Sequence, residues 1–227
     1  MSSPELTIST IISLLGEMFD CVDEQLANAV NALYNSDVHL ARYVCLSDRR
    51  VDELELQIDG ACAAILDSEH VEGDRLRMVI SAMRITADLE RIGDQSKNVA
   101  KSVSFLCDWN MWQSETQIFD MADTVRAVVR MARDTFVERH PLKARQVLAL
   151  DRRVDRAYRS TTQTIIKLCA LYPGQAEALV HLVTLSKAFE RIADHAKSIA
   201  RSVVYLVVGT DIRHQQRRPD TAVTQLA

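Results

Sequence analysis

Two similar charged segments, one hundred residues apart, carry side chains whose types and spacing could bind a ligand or take part in a reaction. "ERIGDQSKNVAKSV" begins at Glu90, and "ERIADHAKSIARSV" begins at Glu190. In each segment a second acidic residue follows four positions later, Asp94 in the first and Asp194 in the second. Residues four positions apart lie on the same face of an α-helix, so each segment presents two carboxylates together. Paired carboxylates suit either oxygen ligation of a hard cation or ion pairing with basic side chains.

A second motif, "DRRVD", is also written twice, at residues 48–52 and 151–155. It carries two further acidic pairs with the same four-residue spacing. Each motif precedes a predicted helical turn by about as many residues as the ERI segment follows it. Because an antiparallel hairpin brings such positions to the same level, we expect four carboxylates to converge in each copy. The eight candidate metal ligands are Asp48, Asp52, Glu90 and Asp94 in the first copy, and Asp151, Asp155, Glu190 and Asp194 in the second.

Metal ligation, ion pairing and docking of a basic partner surface all remain open as explanations of these acids at the level of the sequence. Like charges spaced by four residues destabilise a helix, so something must offset their repulsion. A bound iron, zinc, manganese or magnesium ion would do so. So would an ion-pair network with neighbouring basic residues. The candidate cations of that network are Arg49, Arg50, Arg91 and Lys97 in the first copy, and Arg152, Arg153, Arg191 and Lys197 in the second.

The composition predicts an all-α protein built from long helices. The 227 residues include only 6 glycines and 4 prolines, which leaves few positions for turns. Hydrophobic periodicity predicts six long helices, and the doubled motifs map the first three onto the last three as an internal pseudo-twofold repeat. We therefore expect two tandem three-helix bundles. The predicted helices span about 5–35, 39–67, 74–107, 115–140, 141–171 and 175–208.

The repeat defines the expected domain boundaries. Residues 1–108 form the first bundle, 109–114 a linker, 115–209 the second bundle and 210–227 a mobile tail. The linker contains Trp109 and Trp112, which we expect to pack between the two copies. In each helix the apolar stripe faces the core, and the acidic pairs are expected on an outer or rim face.

Several functional classes are disfavoured by the sequence. The net charge of −4 argues against nucleic acid as the main partner. The five cysteines form no CxxC pair, and neither a convincing signal peptide nor a membrane-spanning run is present, which favours a cytoplasmic location. No ExxH follows the acids, and no HExxH, phosphate-binding loop or nucleophile elbow occurs. We expect no enzyme activity.

At the doubled motifs the sequence resembles the PhoU family of phosphate-transport and phosphate-signalling regulators. The resemblance extends from about Glu5 to Gly209 and includes "LRMVISAMRITADLERIGD" and "LSKAFERIADHAKSIARSVVYLVVG". All four instances of the family's E/DxxxD motif are intact. Gln95 stands where the family usually has histidine after the first ExxxD, and Thr184 stands near the place that corresponds to Arg84. The two acidic sites are therefore not expected to be equivalent.

The resemblance implies two three-helix bundles, often dimeric, that bind metal ions or multinuclear iron or zinc clusters at the acids. It implies an adaptor that links the ATPase subunit of the phosphate ABC transporter to a membrane sensor histidine kinase. Such an adaptor represses the phosphate-starvation response when phosphate is plentiful, and it meets the membrane only through its partners.

Two other functions are compatible with the sequence. The chain would be an accessory factor of a different phosphate or anion permease, or a metal-storage or metalloenzyme helical bundle. The absence of an inward-facing ExxH disfavours the bundle enzymes.

Overall fold

The architecture is known from a computed structural model, which describes residues 8–46, 49–68 and 71–211. These residues form helices and no strand, which confirms the all-α prediction. The helices are α1 (Ile8–Asn35), α2 (Val38–Leu46), α3 (Arg49–Ser68), α4 (Gly73–Leu106), α5 (Met111–Glu115), α6 (Ile118–Val137), α7 (Lys143–Leu171) and α8 (Ala176–Val208).

Two equivalent three-helix units make up the fold, as the internal repeat predicts. Helices α1, α3 and α4 pack together in the first unit, and α6, α7 and α8 pack together in the second. The units are joined mainly by α4 against α8, with a smaller contact between α1 and α6.

Helices α4 and α8 run antiparallel along their whole length. Near the start of α4, the Ser81 hydroxyl donates to the carbonyl of Ser202, near the end of α8, at 3.4 Å. Near the other end, the Phe105 ring stacks on the His181 ring with centroids 3.6 Å apart. This arrangement gives the molecule its pseudo-twofold symmetry and places equivalent residues of the two repeats on opposite sides of one interface.

Of the predicted second helix, 39–67, residues 39–46 lie in α2 and residues 49–67 in α3, while residues 47 and 48 lie outside the described part of the chain. Helix α1 ends before Ser36, whose φ of 50° takes the backbone into the left-handed region. Asp37 then caps α2, because its Oδ1 accepts the N–H of Leu40 at 2.9 Å. The stop and the new start both lie in the "NSD" stretch that separates two apolar-periodic segments.

The tryptophans of the linker are anchors, as the sequence predicts. Trp112 is buried in α5, a short helix that the sequence did not predict, and its indole N–H donates to the carbonyl of Leu106 at 3.4 Å. Trp109 is also buried and meets the ring of Tyr172 from the second repeat edge-on, with centroids 5.6 Å apart. The linker is therefore held to both repeats by aromatic packing.

Candidate functional site: the acidic residues of the two repeats

In the second repeat, a lysine of the chain itself lies between two of the predicted acids. Asp151 on α7 is buried and faces α8. Lys197 on α8 donates to both carboxylate oxygens of Asp151, at 3.0 and 2.9 Å, and also to Oδ1 of Asp194. Since Lys197 follows Asp194 by three residues, one ammonium group connects a local acid with an acid from the neighbouring helix.

The surroundings of this lysine keep it charged. Burial acts to lower the pKa of Lys197, but its hydrogen bonds to Asp194 and Asp151 outweigh that effect, and the pKa is raised. Burial raises the pKa of Asp151, although the bond to Lys197 opposes this change. The charge of Lys197 therefore compensates a carboxylate that has little access to water.

The other two acids of the second repeat lie around this cluster. Glu190 is also largely buried, and its Oε2 accepts the Lys187 ammonium at 2.6 Å. The same ammonium lies over the Tyr158 ring, 5.2 Å from its centroid. Asp155 is half-buried, and its charge helps to raise the pKa of Asp151. Two lysines of α8 thus contact three of the four acids.

In the first repeat, Glu90 and Asp94 on α4 interact directly. Burial, together with a hydrogen bond to Asp94 and the charge of that carboxylate, raises the pKa of Glu90 to about 7. Burial acts to raise the pKa of Asp94, but Lys97 and Glu90 outweigh it, and the pKa is lowered. Burial and the neighbouring carboxylate therefore favour the protonated form of Glu90, while Asp94 stays charged beside Lys97.

Basic side chains of α4 also contact this acidic pair. The Lys97 ammonium lies 2.7 Å from Oδ1 of Asp94. Arg91 lies 3.2 Å from Glu90 through Nε and 3.5 Å from Asp94 through Nη1. The acids of the first repeat therefore also pair with cations of their own helix. Arg91 contacts Glu90, whereas Lys187 contacts the equivalent Glu190 in the second repeat.

The α3 side of the first repeat contributes one acid that the sequence reasoning missed. Asp52 is exposed, and Asp48 lies outside the described residues. Glu55, one turn after Asp52, is half-buried, and its pKa is raised by burial and then by the charges of Asp59 and Asp52. Helical spacing alone would have placed Glu55 beside Asp52. Glu55 was overlooked because the equivalent residue of the second repeat is Tyr158, so this acid is not part of the repeated motif.

The expectation that every acid points to an outer or rim face is wrong for several of them. Asp151 is only 4 % exposed, and the side chains of Glu190 and Glu90 are 15 % and 21 % exposed. The apolar stripe of each helix was correctly predicted, but α3 and α7 pack beside α4 and α8 and cover the flank that carries the acids. A helical wheel describes one helix and cannot show this neighbour.

The described acids fit an ion-pair cluster more closely than a metal centre. Within the described ranges, no three His, Cys, Asp or Glu side chains gather closely enough to hold a metal ion. In the second repeat, the oxygens of Asp151 and Asp194 that would face a cation already face Lys197. A metal ion could bind there only after the Lys197 side chain had moved away.

The positions that follow the ExxxD motifs have different roles in the two repeats. Nδ1 of His195 lies 2.9 Å from Oδ1 of Asp88, so this pair joins α8 to α4 across the interface between the units. Gln95 is buried and accepts a hydrogen bond from the Asn98 amide at 3.3 Å, within its own helix. Since Ala188 occupies the place equivalent to Asp88, the contact occurs only once.

The fold and the acidic motifs together define a class of protein: tandem three-helix bundles that carry a paired E/DxxxD motif in each repeat. The PhoU domain family matches this chain twice, over residues 15–103 and 118–203. The chain belongs to the PhoU family.

Curated relatives resemble nearly the whole chain. The phosphate-specific transport system accessory protein PhoU homolog of Pseudomonas aeruginosa is 32% identical over 91% of this chain and 86% of its own length. The homolog of Pseudomonas putida is 31% identical over 96% of this chain and 86% of its own length. The PhoU protein of Escherichia coli K12, with the same description, is 25% identical over 92% of this chain and 85% of its own length.

Solved structures have the same fold. The crystal structure of PhoU from Pseudomonas aeruginosa aligns with a TM-score of 0.83 at 30% identity, over 89% of this chain and 97% of that one. The phosphate transport system regulatory protein PhoU from Streptococcus pneumoniae aligns with a TM-score of 0.81 at 24% identity, over 90% and 96% of the two chains. The second comparison shows the fold alone. Among the described residues, none of the helices is both long and apolar enough to cross a bilayer.

Proposed function

We propose that this protein is a regulatory adaptor of phosphate uptake and phosphate signalling. It represses the phosphate-starvation response by linking the ATPase subunit of the phosphate ABC transporter to a sensor histidine kinase. The observation that supports the proposal most directly is the family match in both repeats, together with relatives named as accessory proteins of the phosphate-specific transport system.

The geometry of the acidic residues supports an adaptor rather than an enzyme. Lys197 holds Asp151 and Asp194, and Lys187 holds Glu190, so these carboxylates are engaged in ion pairs. A general base needs a carboxylate that can reach a substrate proton. The proposal therefore assigns the function to binding surfaces, in a cytoplasmic and homodimeric protein.

A deletion strain tests the regulatory role. Deleting the gene should derepress phosphate-scavenging genes in phosphate-rich medium, and the wild-type gene supplied on a plasmid should restore repression. Reporter expression that stays repressed in the deletion strain would refute the regulatory role. Co-purification of the tagged full chain with the ATPase subunit and with the kinase, measured separately, tests each link of the adaptor.

Metal binding at the eight acids stays a prediction. If a metal ion displaces the lysines, protein purified without chelator should contain iron, zinc, manganese or magnesium, and Asp94→Ala and Asp194→Ala should each lower that content. Elemental analysis of the three proteins measures it, with Asp123→Ala as a control at an exposed acid of α6. Equal metal content in all four proteins would favour the ion-pair explanation of the acids.

A further inference from the structure

Helix α7 carries a large positive charge that its equivalent in the first repeat lacks. Between Lys143 and Leu171 the chain has seven basic and two acidic side chains. Helix α3 corresponds to the last 20 residues of α7, which carry five basic and one acidic side chain, whereas α3 has two basic and five acidic ones. The two stretches bury equivalent apolar stripes. The fold itself therefore does not require the positive charge of α7.

Five of these cations form a single line on the outer face of the helix. At about 100° per residue they lie within about 40° of one direction, opposite the buried Val147, Val154 and Ile165. At 1.5 Å per residue the line is about 33 Å long. All five side chains are exposed. We call this set the basic row: Arg145, Arg152, Arg156, Arg159 and Lys167.

The basic row has no counter-charge in the described part of the chain. Its members make no ion pair there, in contrast with Arg50, which pairs with Glu17 and Glu53, and Arg130, which pairs with Asp23. The two acids of α7 lie on its flank toward α8, where Asp151 is bound by Lys197. The positive potential of the row is therefore directed outward.

Exposed aliphatic side chains flank the same face near both of its ends. Leu142 precedes the row and is 42% exposed, while Ile166 and Leu171 lie near its other end and are 66% and 69% exposed. On the helical wheel all three fall within about 80° of the centre of the row. Clustered exposed basic residues are attracted to anionic headgroups, and exposed aliphatic side chains beside them add apolar area that a lipid surface can bury.

We propose that the outer face of α7 docks directly on an anionic phospholipid surface. Arginine forms bidentate hydrogen bonds with phosphate, and the flanking aliphatic side chains enter the boundary between headgroups and acyl chains. A line of exposed cations about 33 Å long matches a plane of phosphate headgroups, which presents anions along its whole length. The proposed adaptor function involves the membrane only through protein partners. Direct binding to lipid goes beyond that function and does not depend on it.

Vesicle sedimentation with the full-length chain tests the proposal. The protein should sediment with phosphatidylcholine vesicles enriched in phosphatidylglycerol, and not with vesicles of phosphatidylcholine alone. Added salt should weaken the binding, because exposed charges are screened. The triple variant Arg152→Gln, Arg156→Gln, Arg159→Gln should bind on the order of a hundredfold more weakly, since each basic residue near the surface contributes roughly a fivefold factor.

A matched control changes the same charge in the first repeat. Arg42→Gln, Arg49→Gln, Lys101→Gln removes three exposed cations, two of them at places equivalent to Arg145 and Arg152. This variant should keep most of the vesicle binding, and circular dichroism should show that both variants are folded. Absence of binding to anionic vesicles, or equal losses in the two triple variants, would overturn the proposal. Row-dependent binding to poly-glutamate that is tighter than vesicle binding would assign the face to an acidic protein instead.

Discussion

At the scale of residues, the lysine that follows each ExxxD motif contacts the second acid of that motif. Lys97 and Lys197 each follow the second acid of the ExxxD motif by three positions. Lys97 lies 2.7 Å from Asp94. Lys197 holds Asp194 and also Asp151, which comes from the neighbouring helix and is buried. Lys197 therefore makes one contact within α8 and another from α8 to α7.

Replacing Lys197 by methionine should destabilise the protein by about 3 kcal/mol. The substitution preserves most of the aliphatic stem but leaves the carboxylate of Asp151 buried without its ammonium partner. Urea unfolding followed by circular dichroism measures the change in the free energy of unfolding. The double variant Lys197→Met, Asp151→Leu should recover most of the loss, because it removes the uncompensated charge.

Lys187→Met provides the control for this prediction. Its ammonium pairs with Glu190, but its side chain is 41% exposed, so the loss should stay below about 1 kcal/mol. Equal effects of the two single substitutions would show that the contact between Lys197 and Asp151 contributes no more than a surface ion pair.

At the scale of elements, the longest helix of the second repeat ends where the backbone requires a glycine. Helix α8 runs for 33 residues and ends at Gly209, whose φ of 78° lies in the left-handed region. Its N–H donates to the carbonyl of Tyr205 at 2.9 Å and satisfies one of the last helical acceptors. Glycine adopts this conformation without the strain that a Cβ atom brings.

Gly209→Ala should therefore destabilise the protein by about 1 kcal/mol. The matched control is Gly60→Ala, in the middle of α3, where an added Cβ would meet no atom within 4 Å. Gly60→Ala should stabilise the protein by roughly 0.5–1 kcal/mol, because alanine is the better helix former. Thermal unfolding of both variants gives the signs, and a stabilising Gly209→Ala would contradict the αL cap.

At the scale of the whole molecule, two copies of one unit have diverged in their exposed and interfacial residues while keeping their core. The buried stripes of α4 and α8 correspond position by position, from Leu89 and Phe189 to Val103 and Val203. The pair formed by Asp88 and His195 occurs on one side of the interface only. The charge of α3 is opposite to that of α7. A shared core with different outer faces gives the two repeats chemically distinct surfaces.

Much of this architecture was predictable because local patterns determine it. Hydrophobic periodicity predicted the long helices, and the repeated motifs predicted the tandem units, which the family match and the solved structures confirm. The short helix α5 was missed. It depends on a few residues between strong periodic segments, where helical propensity is a weak guide.

The sequence by itself determined the all-α class, the internal repeat and the family, because period, spacing and motif are properties of the chain read in order. Only the tertiary structure decided how the acids are neutralised. Helix α8 packs beside α7, so Lys197 meets Asp151 from a position 46 residues away, and burial then makes that contact an ion pair with little access to water. A helical wheel represents a single helix and does not show a neighbouring one. The sequence therefore predicted outward-facing acids, whereas the packing of the neighbouring helix partly buries them.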